Sequence, residues 1–152
     1  MARTPLLFLS PLHRASRQIA IHLGRRLSGV EAQGAEAHLM SYLSVYAPVP
    51  VSLIGRVFGT RKSTLTSMLD RLEHRGLVRR SPNPEDRRSL LVSITRRGRA
   101  VARQVQRPVD DLERAIRERV TAAELHGFQR VIEEIGHVTQ VDLRHEPQEE
   151  SP

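Results

Sequence analysis

Cysteine and tryptophan are both absent from the 152 residues. Without thiols the chain forms no disulfide, no thiolate metal site and no thiol-based redox switch. That fits a reducing compartment, and a cytoplasmic location is expected. Aromatic residues make up 3% of the chain against 39% hydrophobic residues, so the core has to be aliphatic. No apolar run reaches the ~18 residues of a membrane span. The patch from Leu6 to Leu9, after Arg3, is shorter than the roughly 7–15 residue core of a secretory signal. Catalytic patterns are missing too: there is no glycine-rich phosphate loop, no nucleophile elbow and no paired carboxylate site. Asp110-Asp111 and Glu133-Glu134 read as solvated helix surface. Seven histidines (His13, His22, His38, His74, His126, His137 and His145) show no metal-ligand spacing such as HExxH. A meeting of His13, His22 or His38 across the fold would be needed for metal sensing. No enzyme activity, cofactor or metal is therefore expected.

Arginine is abundant. All but one of the 24 basic residues are arginine, the exception being Lys62, and the net charge is +7. The distribution matters more than the total. From Arg56 to Arg107 there are fourteen basic and four acidic residues, a local net of +10; the remainder, with ten basic and thirteen acidic, is −3. A concentrated basic segment is the electrostatic footprint of a phosphate-binding surface. Arginine suits bidentate contacts to phosphate and guanine, although a codon bias in the source genome would produce the same excess.

The basic segment has a pattern. Leu53, Ile54, Val57 and Phe58 recur at three and four residues, one face of a short helix, and Gly59 stands where such a helix stops. Leu65, Met68, Leu69 and Leu72 form the stripe of a second helix, with Lys62, Ser63, Thr64, Thr66, Ser67 and Arg71 mostly off it. Gly76 ends it. Gly55 is expected to face the second helix and let the two cross closely. Two helices around a short glycine turn make a helix-turn-helix; the same spacing also suits a plain helical hairpin. The residues after Gly76 favour the helix-turn-helix. Leu77 to Arg80 and Leu90 to Thr95 read as strands around the turn-rich loop from Ser81 to Arg88. A two-stranded ribbon with arginine at its tip, placed directly after the second helix, is a wing. Such a wing can reach a minor groove while the helix enters the major groove.

The run LEHRGLVRRSPNPEDRRSLLVSITRRG, residues 72–98, resembles the signature of the MarR family of bacterial transcription regulators. The matching positions are Gly76-Leu77, Asp86-x-Arg88 and Thr95-x-x-Gly98, and the upstream GTRKSTLT resembles the family's turn and the start of its recognition helix. Two departures stand out. Arg61 occupies a position where the family often has a helix-capping Ser or Asp, so Thr60 is expected to cap instead. Gly55 replaces the usual Ala.

Outside this segment four further helices are expected. One, from Ser10 to Leu27, carries Leu12, Ala15, Ile19, Leu23 and Leu27; another, from Ala35 to Tyr46, carries Leu39, Tyr42, Leu43 and Tyr46. A long helix after Gly98 carries Val101, Val105, Val109, Leu112 and Ile116, with Pro108 bending or splitting it. The last comes after Thr121, whose spacing from Glu124 is that of a capping box, and presents Leu125, Phe128, Ile132, Ile135 and Val138. No internal repeat is present. The expected fold is mainly α with a small β-wing: a winged helix-turn-helix region at 35–98, helical dimerisation regions at 6–30 and 99–143, and a flexible tail at 144–152. The flanking helices have apolar faces that the reader cannot cover alone. A homodimer would pair them and place two readers on an inverted repeat; a monomer would fold its termini onto its own winged region.

Individual residues can be given roles. Lys62, Ser63, Thr64, Thr66 and Ser67, preceded by Arg61, are candidates for base-edge and nearby phosphate contacts on double-stranded DNA. Arg71, Arg75, Arg79, Arg80 and Arg97 are candidates for phosphate. Arg87 and Arg88 sit at the wing tip. The resemblance implies that Asp86 orients Arg88 for the minor groove; a surface Asp–Arg pair is the plainer reading. It also implies a small, often anionic aromatic effector between the dimer helices and the winged region, with His13, Arg17, His38, Tyr42 and Tyr46 as candidate lining residues. Core packing is the other reading of both tyrosines. The functional expectation is a dimeric DNA-binding regulator, usually a repressor; the alternative is a winged-helix architectural or interaction module with no ligand response.

Overall fold

The structure, a computed structural model, describes residues 7–86, 88–141 and 143; Leu6, Arg87 and the tail expected at 144–152 lie outside the described residues. Helices α1 (Leu9–Arg26) and α2 (Ala35–Tyr46) lead into a two-residue strand β1 (Val49–Pro50) and the pair α3 (Val51–Phe58) and α4 (Lys62–His74). Strands β2 (Val78–Pro82) and β3 (Leu90–Ile94) come next, then α5 (Arg96–Arg117) and α6 (Ala122–Thr139). The ribbon's sheet has the order β1-β3-β2 and is antiparallel, with Val49 opposite Val92, and Val78 opposite Ile94. β1 is an addition to the expected fold. It closes one edge of β3 and so fastens the wing to the segment before α3.

The core lies between α2, α3, α4, the sheet and the first half of α5. Leu39, Met40, Leu43, Ile54, Leu69, Leu72, Leu77, Val92 and Val105 are its largest fully buried side chains. Truncating any of these leucines to alanine would cost about 2–5 kcal/mol. The α4 stripe Leu65, Met68, Leu69 and Leu72 is buried as its spacing predicts.

Gly59 adopts the left-handed conformation at the end of α3, φ 56°, and makes the turn into α4. Gly98 is needed for a different reason. A Cβ there would lie 2.0 Å from the Leu77 carbonyl oxygen, well inside any contact distance. Thr95 completes this joint: its hydroxyl donates to the Gly76 carbonyl at 2.7 Å and accepts from the Gly98 N–H at 2.9 Å. The Thr-x-x-Gly pattern therefore locks the end of the ribbon, the turn after α4 and the start of α5 together.

Three expectations change. Thr60 does not cap α4; its hydroxyl donates to the Phe58 carbonyl at 3.1 Å, and Arg61 is the N-cap residue, with no side-chain cap bond. Gly55 does face α4, but a Cβ would meet Leu65 Cδ2 at 3.6 Å, an ordinary contact, so close crossing does not require glycine. Pro108 does not split α5, which runs unbroken through it. The capping box is present, with the Thr121 hydroxyl accepting from the Glu124 N–H and the Glu124 carboxylate accepting from the Thr121 N–H.

The flanking helices differ from the core. Neither α1 nor α6 contains a buried residue. Ile19, Ile21, Ile116, Phe128, Val131, Ile132 and Val138 are all exposed in the single chain.

Candidate nucleic-acid interface

With its leucine stripe committed to the core, α4 turns its other face outward. Arg61, Lys62, Ser63, Thr64, Thr66 and Ser67 are all exposed. The Thr66 hydroxyl donates back to the Lys62 carbonyl at 2.9 Å, which leaves its oxygen free to accept. The first turn has no acidic residue and no side-chain cap. Basic residues beside a helix N-terminus oppose the macrodipole. A phosphate at that end would satisfy the free N–H groups and both cations at once.

The wing tip is built from its own polar side chains. The Asn83 N–H donates to the Ser89 carbonyl at 3.1 Å, and its side-chain amide to Ser89 Oγ at 3.0 Å. The Glu85 N–H donates to Asn83 Oδ1 at 3.1 Å. The Asp86 carboxylate accepts from the Arg88 N–H at 3.0 Å. Asp86 thus fixes the backbone that carries Arg88, whose side chain is exposed. The second tip arginine, Arg87, lies outside the described residues.

The base of the wing is tied to α4. Arg80 donates from its N–H (2.8 Å) and from Nε (2.9 Å) to the Glu73 carboxylate, and from Nη2 to Asp70 at 2.6 Å. Arg80 hydrogen bonds, first from the backbone and then from the side chain, hold the Glu73 carboxyl below the usual carboxylate range. Since Asp70 and Glu73 lie on α4, this pairing sets the ribbon beside the helix.

A second group of ion pairs ties α4 to what precedes it. Arg71 Nε donates to Glu36 at 2.9 Å, Arg75 Nη2 reaches the other oxygen of that carboxylate, and Arg75 Nη1 donates to the Glu31 carbonyl at 2.7 Å. Arg97 donates to the Glu31 carboxylate at 2.9 Å and to the Arg75 carbonyl at 2.9 Å. Burial alone would raise the Glu36 carboxyl, but hydrogen bonds from Arg75 and Arg71 outweigh it and hold the group low. The phosphate candidates Arg71, Arg75, Arg80 and Arg97 each have an internal carboxylate partner. Arg75 and Arg80, with side chains 27% and 23% exposed, are largely enclosed, whereas Arg71 and Arg97, at 59% and 62%, remain open on one side. The sequence pattern missed Glu31, Glu36, Asp70 and Glu73 as the residues that hold the reader's cations. Asp70 and Glu73 stand out as acidic residues amid arginine, whereas Glu31 and Glu36 lie before the basic segment and give no such signal.

Of the candidate effector residues, three come together. The His38 and Phe58 rings are 4.8 Å apart, Tyr42 meets Phe58 edge-on at 5.4 Å, and Tyr42 and Tyr46 are 4.9 Å apart. Phe58, which helical spacing places on the apolar face of α3, is packed against the core. His13 and Arg17 are exposed on α1 and take no part in this cluster. Among the described residues no three His, Cys, Asp or Glu side chains could hold a metal ion together, and no helix is long and apolar enough to cross a membrane.

An open helix after a glycine turn, with a ribbon tied alongside it, defines a winged helix-turn-helix. Residues 35–90, the helix-turn-helix and most of its wing, match the MarR family. The multiple antibiotic resistance protein MarR of Salmonella typhimurium is 38% identical over 87 residues, a match covering 57% of this chain and 60% of that protein. The chain therefore spans about three-fifths of the length of that first relative. The MarR protein of Escherichia coli K12 is 27% identical over 125 residues, covering 82% of this chain and 87% of that protein. A crystal structure of a cysteine-to-serine mutant of E. coli MarR complexed with operator DNA superposes with a TM-score of 0.70 at 27% identity, covering 86% of this chain and 94% of that one.

Proposed function

We propose that the protein is a homodimeric, sequence-specific regulator of transcription, acting as a repressor in the cytoplasm on an inverted-repeat operator in double-stranded DNA, and not an enzyme. The observation that carries this reading is the Arg80–Glu73–Asp70 link. It sets an arginine-tipped ribbon next to a helix whose basic and hydroxyl side chains are open. The likeness to a MarR structure complexed with operator DNA supports it. Arg61, Lys62, Ser63, Thr64, Thr66 and Ser67 would meet base edges and nearby phosphates. Arg79 would meet phosphate at the wing base, and Arg88, with Arg87, would enter the minor groove on the backbone held by Asp86. Arg71, Arg75, Arg80 and Arg97 would chiefly hold the reader together. The uncovered faces of α1, α6 and the end of α5 would pair with a second copy.

Selecting bound DNA from a random pool tests this directly, and a two-fold motif is expected. A pool that yields no motif under excess competitor DNA favours an architectural module instead. Arg88→Ala should weaken operator binding at least tenfold, about 1.4 kcal/mol, with the melting temperature unchanged. Equal affinity in a gel-shift titration removes Arg88 from the interface. The ring cluster of His38, Tyr42, Tyr46 and Phe58 supports a small aromatic effector. Thermal shift with phenolic acids checks this: no shift and no release of DNA would leave the rings as packing.

A further inference from the structure

Glu36 stands in the first turn of α2, with a side chain only 16% exposed, and takes two arginines at the C-terminal end of the recognition helix, Arg71 and the C-cap Arg75. Both of its oxygens are used, one by Arg71 and one by Arg75. Nothing in the packing of α4 demands this arrangement, because the leucine stripe is already buried. What the pairing does is electrostatic. It ties two cations of the reader to an internal anion, 35 and 39 residues away in sequence. Lys62 and Arg88, by contrast, sit exposed at the reading ends of α4 and the wing. A duplex of any sequence offers phosphate to any free arginine, and that attraction carries no base information.

We infer that Glu36 is a specificity-determining residue: it occupies Arg71 and Arg75, keeps their charge from DNA of any sequence, and so leaves discrimination to the start of α4 and the wing. This rests on the DNA-binding reading above. Glu36 touches no DNA; it acts through the two arginines, and is a positioning residue. Removing its charge frees the Arg71 guanidinium, already open on one side, and loosens Arg75, which keeps its bond to the Glu31 carbonyl, while leaving the reading residues in place. Non-selective affinity then rises more than operator affinity does.

The test is the E36Q variant of the full chain. Its affinity for a labelled random duplex and for the selected operator is measured by anisotropy across a salt titration. Each arginine released to phosphate steepens the plot of log affinity against log salt by about 0.9, so the random-duplex slope should steepen by about 1–2. The operator-to-random ratio should fall several-fold. Adding R71Q and R75Q to E36Q should return the random-duplex slope to the parent value. An unchanged slope in E36Q overturns the inference, as does a steeper slope that the two arginine changes fail to reverse. Equal weakening on both duplexes, with a lower melting temperature, shows Glu36 to be a scaffold residue only and also overturns it. A parent protein that binds neither duplex removes the DNA-binding reading itself and this inference with it.

Discussion

The reader and its flanking helices use the same kinds of residue in opposite ways. From Leu27 to Val105 the aliphatic side chains close on one another, and nine large ones are fully buried. In α1 and α6 the same helical spacing yields no buried residue at all. Phe128 is 55% exposed and Val138 82%. Helical periodicity therefore marks a face that must be covered, without saying by what. The reader closes its core within one chain, and the flanks leave their apolar faces open.

The sharpest way to break that contrast is to charge the uncovered face. Phe128→Glu with Ile132→Glu should yield a monomer by analytical ultracentrifugation while the reader stays folded. Because joining two binding modules gains about 10²–10⁴ in affinity, operator binding should fall by a similar factor. A variant that remains dimeric, or a monomer that keeps full affinity, would remove the distinction between the regions.

Next in size is Gly98→Ala inside the reader. Its Cβ has no room against the Leu77 carbonyl, so the joint must open, at a cost of about 3 kcal/mol. A urea titration reads this, and a change under about 1 kcal/mol would mean the joint gives more easily than its geometry implies.

A smaller effect concerns acid. Glu36 and Glu73 are both held below the ordinary carboxyl value of 4.5 by arginine. The folded state thus binds fewer protons than the unfolded state in this range. The stability these groups add is fully present above the ordinary carboxylate pKa and is lost as pH falls through the depressed folded values. The urea midpoint should decline with falling pH below about 4.5, and E36Q should flatten that decline. A decline of equal steepness in E36Q would show that other groups govern the acid limb.

The smallest expected change is Gly55→Ala. The added methyl would touch Leu65 without crowding it, and helix propensity favours alanine by about 0.8–1.0 kcal/mol. A slight rise in melting temperature is expected. A fall would restore the idea that α3 and α4 need glycine to cross.

These outcomes also mark what the sequence could convey. Elements with a period were legible: α2 falls on Ala35–Tyr46 as its spacing predicts, and the Thr121–Glu124 box is in place. Elements too short to have a period were not. β1 is two residues long, one of them proline, and is defined only by β3 across from it. Charge was legible as a total and misleading as a surface. The net of +10 between Arg56 and Arg107 overlooks Glu31 and Glu36, which lie earlier in the chain and reach in to take Arg97, Arg71 and Arg75. Pairings over 35–66 residues leave no local pattern. For the same reason His13 and Arg17 could be placed on a helix face but not against the rings of α2.

Helix α5 belongs to both regions. Val101, Ala102 and Val105 are locked in the interior, while Ile116 is 44% exposed. Between them lies Pro108, where the rod lacks one rung of its ladder. A shaft that lacks a hydrogen bond at the border between its anchored and its free half bends there at the least cost. In the homodimer proposed above, a swing of the free halves would reach the base of the ribbon and the turn behind α4 through that point, and would set how far apart two reading heads stand.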